Sequence, residues 1–441
     1  MINLPLIVYC LLIIIQFNKV IGDNSVDPDT NRDIVELITS RGFDYEVHYV
    51  TTEDNYILGV YRIVNPFVDQ AKRKQLRPIV IQHGFISSGE TFLINSPDGF
   101  AVPCDPDDQF LDQLTDDDNN TRTNNLGFLL SNRCYDVWLA NSRGNQYSRN
   151  HTTLDPDKDK EFWNFSFDQM IQYDTPNLID YILELTGREN LGWIGHSQGT
   201  LIMFGLLSER PNYSLKVKPF IALAPVVYVG NILPALRIAA ALPFVLYSLR
   251  KTGGELGDGS SILSITSEFV CNRWEPIVCE NLIYPLKGYS PDLLNTTRLD
   301  VYRAHLFSGS TSVWDLVHFG QNVNKKTFIK FDYGTAENRI HYNGPTPPKY
   351  KVSQINSTQL ALFHSKADTL GDVKDVATLI KDLKVPLFRD YEIAIPTWDH
   401  QDFIYADNLY EVVHVVILDV LRQSQLLELN LTDSNKKIKS I

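Results

Sequence analysis

Gly195, His196, Ser197, Gln198 and Gly199 form a GxSxG pentapeptide set between a short apolar run, Leu191 to Ile194, and a helix-forming stretch, Thr200 to Leu207. A sharp strand-to-helix turn brings backbones close together and forces its central residue into a strained conformation, and small residues on either side relieve the crowding. The two glycines therefore have a physical reason of their own. A serine hydroxyl is a poor nucleophile at neutral pH, so Ser197 requires a neighbouring base, and that base requires an oriented partner. GxSxG alone fixes three positions; the strand and helix on its flanks make it a candidate nucleophile site.

Outward from this turn the chain alternates. Tyr45 to Thr51 and Tyr56 to Ile63 are β-rich runs separated by Glu53, Asp54 and Asn55, which predicts a hairpin. Pro78 to His83 and Tyr135 to Ala140 read as buried strands, Phe167 to Leu185 as a helix with Pro176 as a local defect, and Pro219 to Leu223 as another strand. Such alternation predicts an α/β fold, a mostly parallel sheet with helices on both faces. After Pro225 the rhythm is lost. The stretch from Tyr228 to Tyr350 is rich in apolar and aromatic residues and reads as an inserted, mostly helical domain. The pattern resumes with a strand at Gln359 to His364, a helix near Val373 to Leu383, a strand near Leu387 to Ala394 and a final helix from Phe403 to Leu421 or beyond. The expected division is a leader at 1–22, a core at 23–227, an insertion at 228–350 and the rest of the core at 351–441. An insertion between two sheet strands would lie over the carboxyl ends of the strands, where open α/β sheets bind ligands.

The leader is an apolar run, Leu4 to Phe17, without an acidic residue, followed by Val20, Ile21 and Gly22. It is shorter than the ~20 residues of a membrane span and reads as a secretory signal peptide. The other long apolar stretch, Ile232 to Leu249, is broken by Pro234, Arg237 and Pro243, so no transmembrane span is expected. Cys10 would leave with the leader. Of the remaining cysteines, Cys271 and Cys279 close a short loop, which leaves Cys104 with Cys134; the two other pairings stay open. Sequons at Asn119, Asn150, Asn164, Asn212, Asn295, Asn356 and Asn430 fit the same secretory route. A net charge of −13 argues against a nucleic-acid partner, which calls for a clustered basic surface. The acidic stretch from Asp105 to Asp118 lacks the spacing and central glycine of a calcium loop and reads as a solvated insertion. No metal or cofactor is expected.

In the α/β-hydrolase arrangement the nucleophile is followed by an acid after a late strand and by a histidine near the end of the chain. Asp368 follows the strand that ends at His364, and His400 precedes the last helix. His400 would take the Ser197 proton, and Asp368 would hold the imidazole in the right tautomer. Among the rivals, His48 lies too early, His196 is inside the turn, His414 sits in a valine-rich helix, His305, His318 and His341 fall in the insertion, and His364 lies on a strand. Asp372 is the nearest rival acid but suits the amino-terminal cap of the next helix; Asp399 and Asp402 adjoin the histidine too closely to reach its ring. An oxyanion hole needs two backbone N–H donors. Gln198 would supply one and Phe85, after His83 and Gly84 at a strand end, the other; His83 reads as a residue that fixes this loop.

With these residues in place the chain resembles the acid lipase family, that of gastric lipase and lysosomal acid lipase, in an insect-like branch. The stretches that carry it are DNYILGVYR (54–62), QHGFISS (82–88), YDVWLANSRGN (135–145), EFWNFSFD (161–168), GHSQGT (195–200), TRLDVY (297–302) and HQDFIYA (400–406). The resemblance implies Ser197 as nucleophile, Asp368 within SKADTLGD as acid, His400 as base, Phe85 and Gln198 as oxyanion donors, a cap with a mobile lid, and a cap disulfide on Cys271 and Cys279. Phe85 stands where the family usually has leucine, the segment from Cys104 to Asn125 is expanded, and Cys104 and Cys134 are extra. The implied activity is hydrolysis of carboxylic esters of neutral lipids, triacylglycerol or cholesteryl ester, by a secreted or lysosomal enzyme that meets its substrate at an interface; the apolar stretch Ile232 to Leu249 is a candidate for the lid or interfacial surface and reads equally well as the core of the cap. Two other readings are a secreted lipid-binding or storage protein on the same scaffold, and a serine peptidase of the same fold. The sequence leaves the oligomeric state open.

Overall fold

Alternation decides which way each residue of the central strands faces. In a computed structural model of the chain, which describes residues 26–106, 120–233, 237, 240–241, 243–257, 290–305, 309–356 and 359–439, Ile79 and Ile81 of strand β3 (Arg77–Gln82) pack into one hydrophobic cluster and Val80 into another. Trp193 and Ile194 of β6 (Leu191–His196) divide in the same way. Every residue of these two strands is buried, the mark of a sheet covered on both faces.

Among the described residues the sheet has nine strands. Its main path runs β1 (Asp44–Thr51), β2 (Tyr56–Val64), β4 (Tyr135–Ala140), β3, β6, β7 (Val217–Leu223), β10 (Leu360–Ser365) and β11 (Arg389–Ile393), and β5 (Asn150–His151) pairs with β2. From β4 to β11 the pairing is parallel; β1 and β2 form the expected hairpin and join β4 antiparallel. The fold is therefore α/β with a mostly parallel sheet. Between β7 and β10 lie helices at Pro243–Thr252, Leu299–His305, Val313–Lys325 and Thr335–Tyr342, with a small antiparallel pair, β8 (Glu255–Leu256) and β9 (Thr311–Ser312). No helix among the described residues is long and apolar enough to cross a membrane.

Two helical stretches are interrupted, the second against expectation. The stretch expected from Phe167 takes a π turn at Met170–Asp174 and then runs as a regular helix over Thr175–Thr186. Pro176 closely follows the π turn in a backbone that stays helical from Phe167 to Thr186, so it marks the local defect that the sequence predicts there. The final helix is also divided. A short turn at Asp402–Tyr405 stops at Ala406, and the long helix Val415–Lys439 follows a second π turn at Tyr410–His414. The reason is a long-range tie: the Asn95 side chain donates to the carbonyls of Ile404 and Ala406, at 2.7 and 3.1 Å, and Ala406 bridges to Leu294.

Arg143, within the SRGN stretch, is wholly buried and joins three parts of the core. It donates to both oxygens of Asp54 in the β1–β2 turn, at 2.6 and 2.8 Å, and to Asp174 in the π turn. Removing one partner of such a cluster strands the others without a counter-charge. Arg143→Met is expected to lower unfolding free energy by about 3–5 kcal/mol, read as a lower denaturant midpoint; an unchanged midpoint would show that the pairs merely break even against an apolar side chain.

Candidate active site

Ser197 lies between β6 and the helix Gln198–Glu209 with φ 52° and ψ −120°. Such a conformation costs of order 1–3 kcal/mol and persists only where the surroundings impose it. Here they do. A Cβ on Gly195 would stand 2.4 Å from the Gly199 carbonyl oxygen, and one on Gly199 would stand 2.5 Å from the Gln82 carbonyl oxygen of the neighbouring strand. The amide of Ser197 donates to the Leu223 carbonyl on the other side, at 3.0 Å. The turn is thus clamped between β3 and β7, with the serine at the carboxyl end of the sheet.

Three segments converge on it. The Ser197 hydroxyl donates to His400 Nε2 at 2.8 Å, and His400 Nδ1 lies 3.0 Å from each oxygen of Asp368. Asp368 follows β10 and His400 follows β11, and both side chains are buried. Burial pushes the Asp368 carboxyl up, but the His400 ring and the amides of Gly371 and Leu370, at 2.6 and 2.9 Å, outweigh it and hold the group below its ordinary value. Burial pushes the His400 imidazole down, and the Asp368 charge more than reverses this. The pair is therefore built to support an imidazolium against Asp368.

The loop after β3 is fixed by His83. Burial pushes this imidazole down to about 4, so the ring is neutral. The Ser142 amide donates to Nε2 at 3.0 Å, which leaves the proton on Nδ1 to donate to the Gly84 carbonyl at 2.7 Å. In a trans peptide the N–H points opposite to the C=O, so anchoring the Gly84 carbonyl also fixes the direction of the Phe85 amide. Gly84 lies against the serine; a Cβ there would be 3.0 Å from Ser197 Cβ. The Phe85 ring meets Phe319 edge-on at 5.4 Å.

The other candidates have other partners. His196 is neutral, pushed down to about 3 by burial and by His400, and its Nε2–H donates to the His400 carbonyl at 3.1 Å. Asp372 caps the helix Val373–Asp382 through the Lys374 amide. His48 meets Tyr181, His305 meets Glu90, His318 meets Ser166, His364 meets Asp390, and His341 stacks on Tyr333. His414 is buried in the final helical segment. Asp402 accepts the amides of Asp399 and Ser290.

Asp399 does not touch the imidazole, but the sequence reading gave it no role and the structure does. Its Oδ1 accepts the amides of Thr369, at 2.9 Å, and of His400, at 2.7 Å, and so ties the acid loop to the base loop. Cys104 and Cys134 form a disulfide, whereas Cys271 and Cys279 lie outside the described residues. Asn150, Asn164, Asn212 and Asn356 are exposed and Asn295 is half-buried; Asn119 and the side chain of Asn430 are not among the described parts. Of the acidic stretch, Asp105 pairs with Lys72 at 2.9 Å, and no group of three or more His, Cys, Asp or Glu among the described residues could hold a metal ion.

A fold of this topology with a serine on the strand-to-helix turn defines an α/β-hydrolase. Family models agree: one described as a partial alpha/beta-hydrolase lipase region matches residues 34–96, and one for the alpha/beta hydrolase fold matches residues 77–255. The chain is 34% identical to gastric triacylglycerol lipase of Rattus norvegicus over 90% of its own length and 93% of that protein's. It is 33% identical to lysosomal acid lipase/cholesteryl ester hydrolase of Homo sapiens, covering 91% and 93%, and 32% identical to lipase member K of Homo sapiens, covering 91% and 93%. The chain belongs to the acid lipase family and is an ester hydrolase.

The clamp on the turn yields a direct expectation. Gly199→Ala drives a Cβ into the Gln82 carbonyl, so it should cost about 1–3 kcal/mol of stability and displace Ser197. Thermal melting together with ester turnover checks this; full activity at an unchanged melting temperature would contradict the close packing.

Proposed function

We propose that the protein hydrolyses carboxylic esters of neutral lipids through an acyl-enzyme formed on Ser197. The observation that carries this reading is the continuous hydrogen-bonded chain from Ser197 Oγ through the His400 ring to Asp368. His400 Nε2 takes the hydroxyl proton as Oγ attacks the ester carbonyl, and Asp368 stabilises the imidazolium. The amides of Phe85 and Gln198 receive the oxyanion. Collapse of the tetrahedral adduct expels the alcohol, which takes the proton from His400. Water, deprotonated by the same ring, then attacks the acyl-enzyme and releases the fatty acid.

Triacylglycerol and cholesteryl ester are the substrate classes that the names of the relatives supply. Residues 228–350 act as a cap over the carboxyl ends of the strands, with Ile232 to Leu249 as lid or interfacial surface. Tyr247, 59% exposed, and Ile340, 82% exposed, offer apolar area for a lipid interface. Secretion or lysosomal delivery accounts for the leader at 1–22, the exposed sequons and a disulfide of the kind that persists in oxidising compartments. Cys271 and Cys279 would form the cap disulfide.

Turnover of triolein, cholesteryl oleate and a peptide by the wild-type protein and by Ser197→Ala tests the proposal. Lipid ester hydrolysis should fall by about 10⁵–10⁶-fold in kcat in the variant at an unchanged melting temperature. Retained hydrolysis would remove Ser197 from the mechanism; cleavage of the peptide alone would favour a peptidase, and binding of lipid without turnover a storage protein.

A further inference from the structure

Gln198 is held at both ends. Its backbone follows the strained serine, and its side chain turns away from the reacting atoms: Nε2 donates to Oδ2 of Asp315 at 2.6 Å. Asp315 lies in the first turn of the helix Val313–Lys325, in the segment inserted between β7 and β10, and is fully buried. Two further donors converge on it. The Phe167 amide reaches Oδ1 at 3.0 Å, and the Thr311 hydroxyl reaches Oδ2 at 3.0 Å. One carboxyl thus joins the turn that carries the nucleophile, the start of the helical stretch at Phe167, and strand β9 of the insertion.

Simple space-filling does not need a carboxyl here. Burial pushes it up to about 7, and neighbouring Asp168 pushes in the same direction, so three hydrogen bonds only partly repay its desolvation. An apolar side chain of similar volume would fill the site at lower cost. What an apolar side chain could not do is grip the Gln198 amide. Asp168 offers the contrast: it is also buried, but its carboxyl accepts from the Tyr350 hydroxyl and the Phe331 amide, both in the insertion, and not from Gln198.

We propose that Asp315 is a positioning residue for the oxyanion hole, holding the Gln198 side chain and through it the backbone amide that receives the ester oxygen. The inference rests on the roles given above to Ser197 and Gln198. It makes a residue of the insertion part of the support of the chemical step, so the insertion must be docked for the hole to be fully ordered. Asparagine at this position presents one acceptor and one donor, as a protonated carboxyl does. Gln198 can turn its own amide to meet either one.

A double-mutant cycle on the full-length protein with a soluble short-chain ester, p-nitrophenyl butyrate, tests this. Misplacing a donor should cost less than the 10²–10³-fold of deleting one, so Gln198→Ala and Asp315→Ala should each lower kcat by about tenfold, with KM changed by less than about twofold. The double variant should be no slower than either single one, because both cut the same bond. Asp315→Asn should recover kcat to within about threefold of the wild type. Asp168→Asn, the matched control, should lower the melting temperature and leave kcat alone. Full kcat in Gln198→Ala, multiplied losses in the double variant, or an equal kcat loss in Asp168→Asn would overturn the proposal. If Asp315→Ala does not fold, Gln198→Ala decides, since it opens the same link from the other side. A wild-type protein without ester turnover would sink the underlying mechanism as well, whereas an active wild type with an indifferent Gln198→Ala sinks only the positioning role.

Discussion

The rest of the site depends on one close contact between backbones. Gly199 rests on the carbonyl of Gln82 and Gly195 on the carbonyl of Gly199, with no room for a Cβ at either position. This packing holds Ser197 at a positive φ at the carboxyl end of the sheet. The serine then cannot relax without moving β3 or β7, whose residues are among the most deeply buried in the molecule. Strain at Ser197 is maintained by the stability of the core.

Around that fixed point His400 and Asp368 come from loops, and loops need ties. Asp399 bonds the backbone on both sides, at Thr369 and His400; Ser365 donates to the Trp398 carbonyl at 2.5 Å; His196 holds the His400 carbonyl. On the other side of the serine His83 sets the direction of the Gly84–Phe85 peptide, and Asp315 grips the Gln198 side chain. The ties from Ser365, His196, His83 and Asp315 are buried and those from Asp399 partly so, which gives each loop a defined orientation against the serine with little solvent to reorganise.

Much of this was legible in the sequence because it is local or periodic. The GxSxG turn announced its own geometry, the strands announced themselves by apolar runs, and Asp368 stood apart from Asp372 because the latter had a capping role to fill. The unread parts depend on contacts between distant residues. Nothing near Ala406 signals the break in the last helix, which Asn95 imposes from the other end of the chain. Pro176 marks the defect in its helix, but the π turn at Met170–Asp174 that takes it up has no sequence signature of its own. Asp315 is separated from Gln198 by 117 positions, and Asp399 was set aside because adjacency to His400 excludes a contact with the ring but not with the backbone. The Cys104 and Cys134 pair needed only proximity, and the fold supplies it.

The central claim is that Ser197 is the one hydroxyl raised to a nucleophile by the His400 and Asp368 pair. Its most direct measurement is treatment of the purified full-length protein with a fluorophosphonate, followed by digestion and mass spectrometry of the adduct. The account predicts a single adduct on Ser197, formed at least about 10²-fold more slowly in a His400→Ala variant, since the base supplies the activation. An adduct on another serine, or ester turnover that survives with Ser197 unmodified, would contradict it.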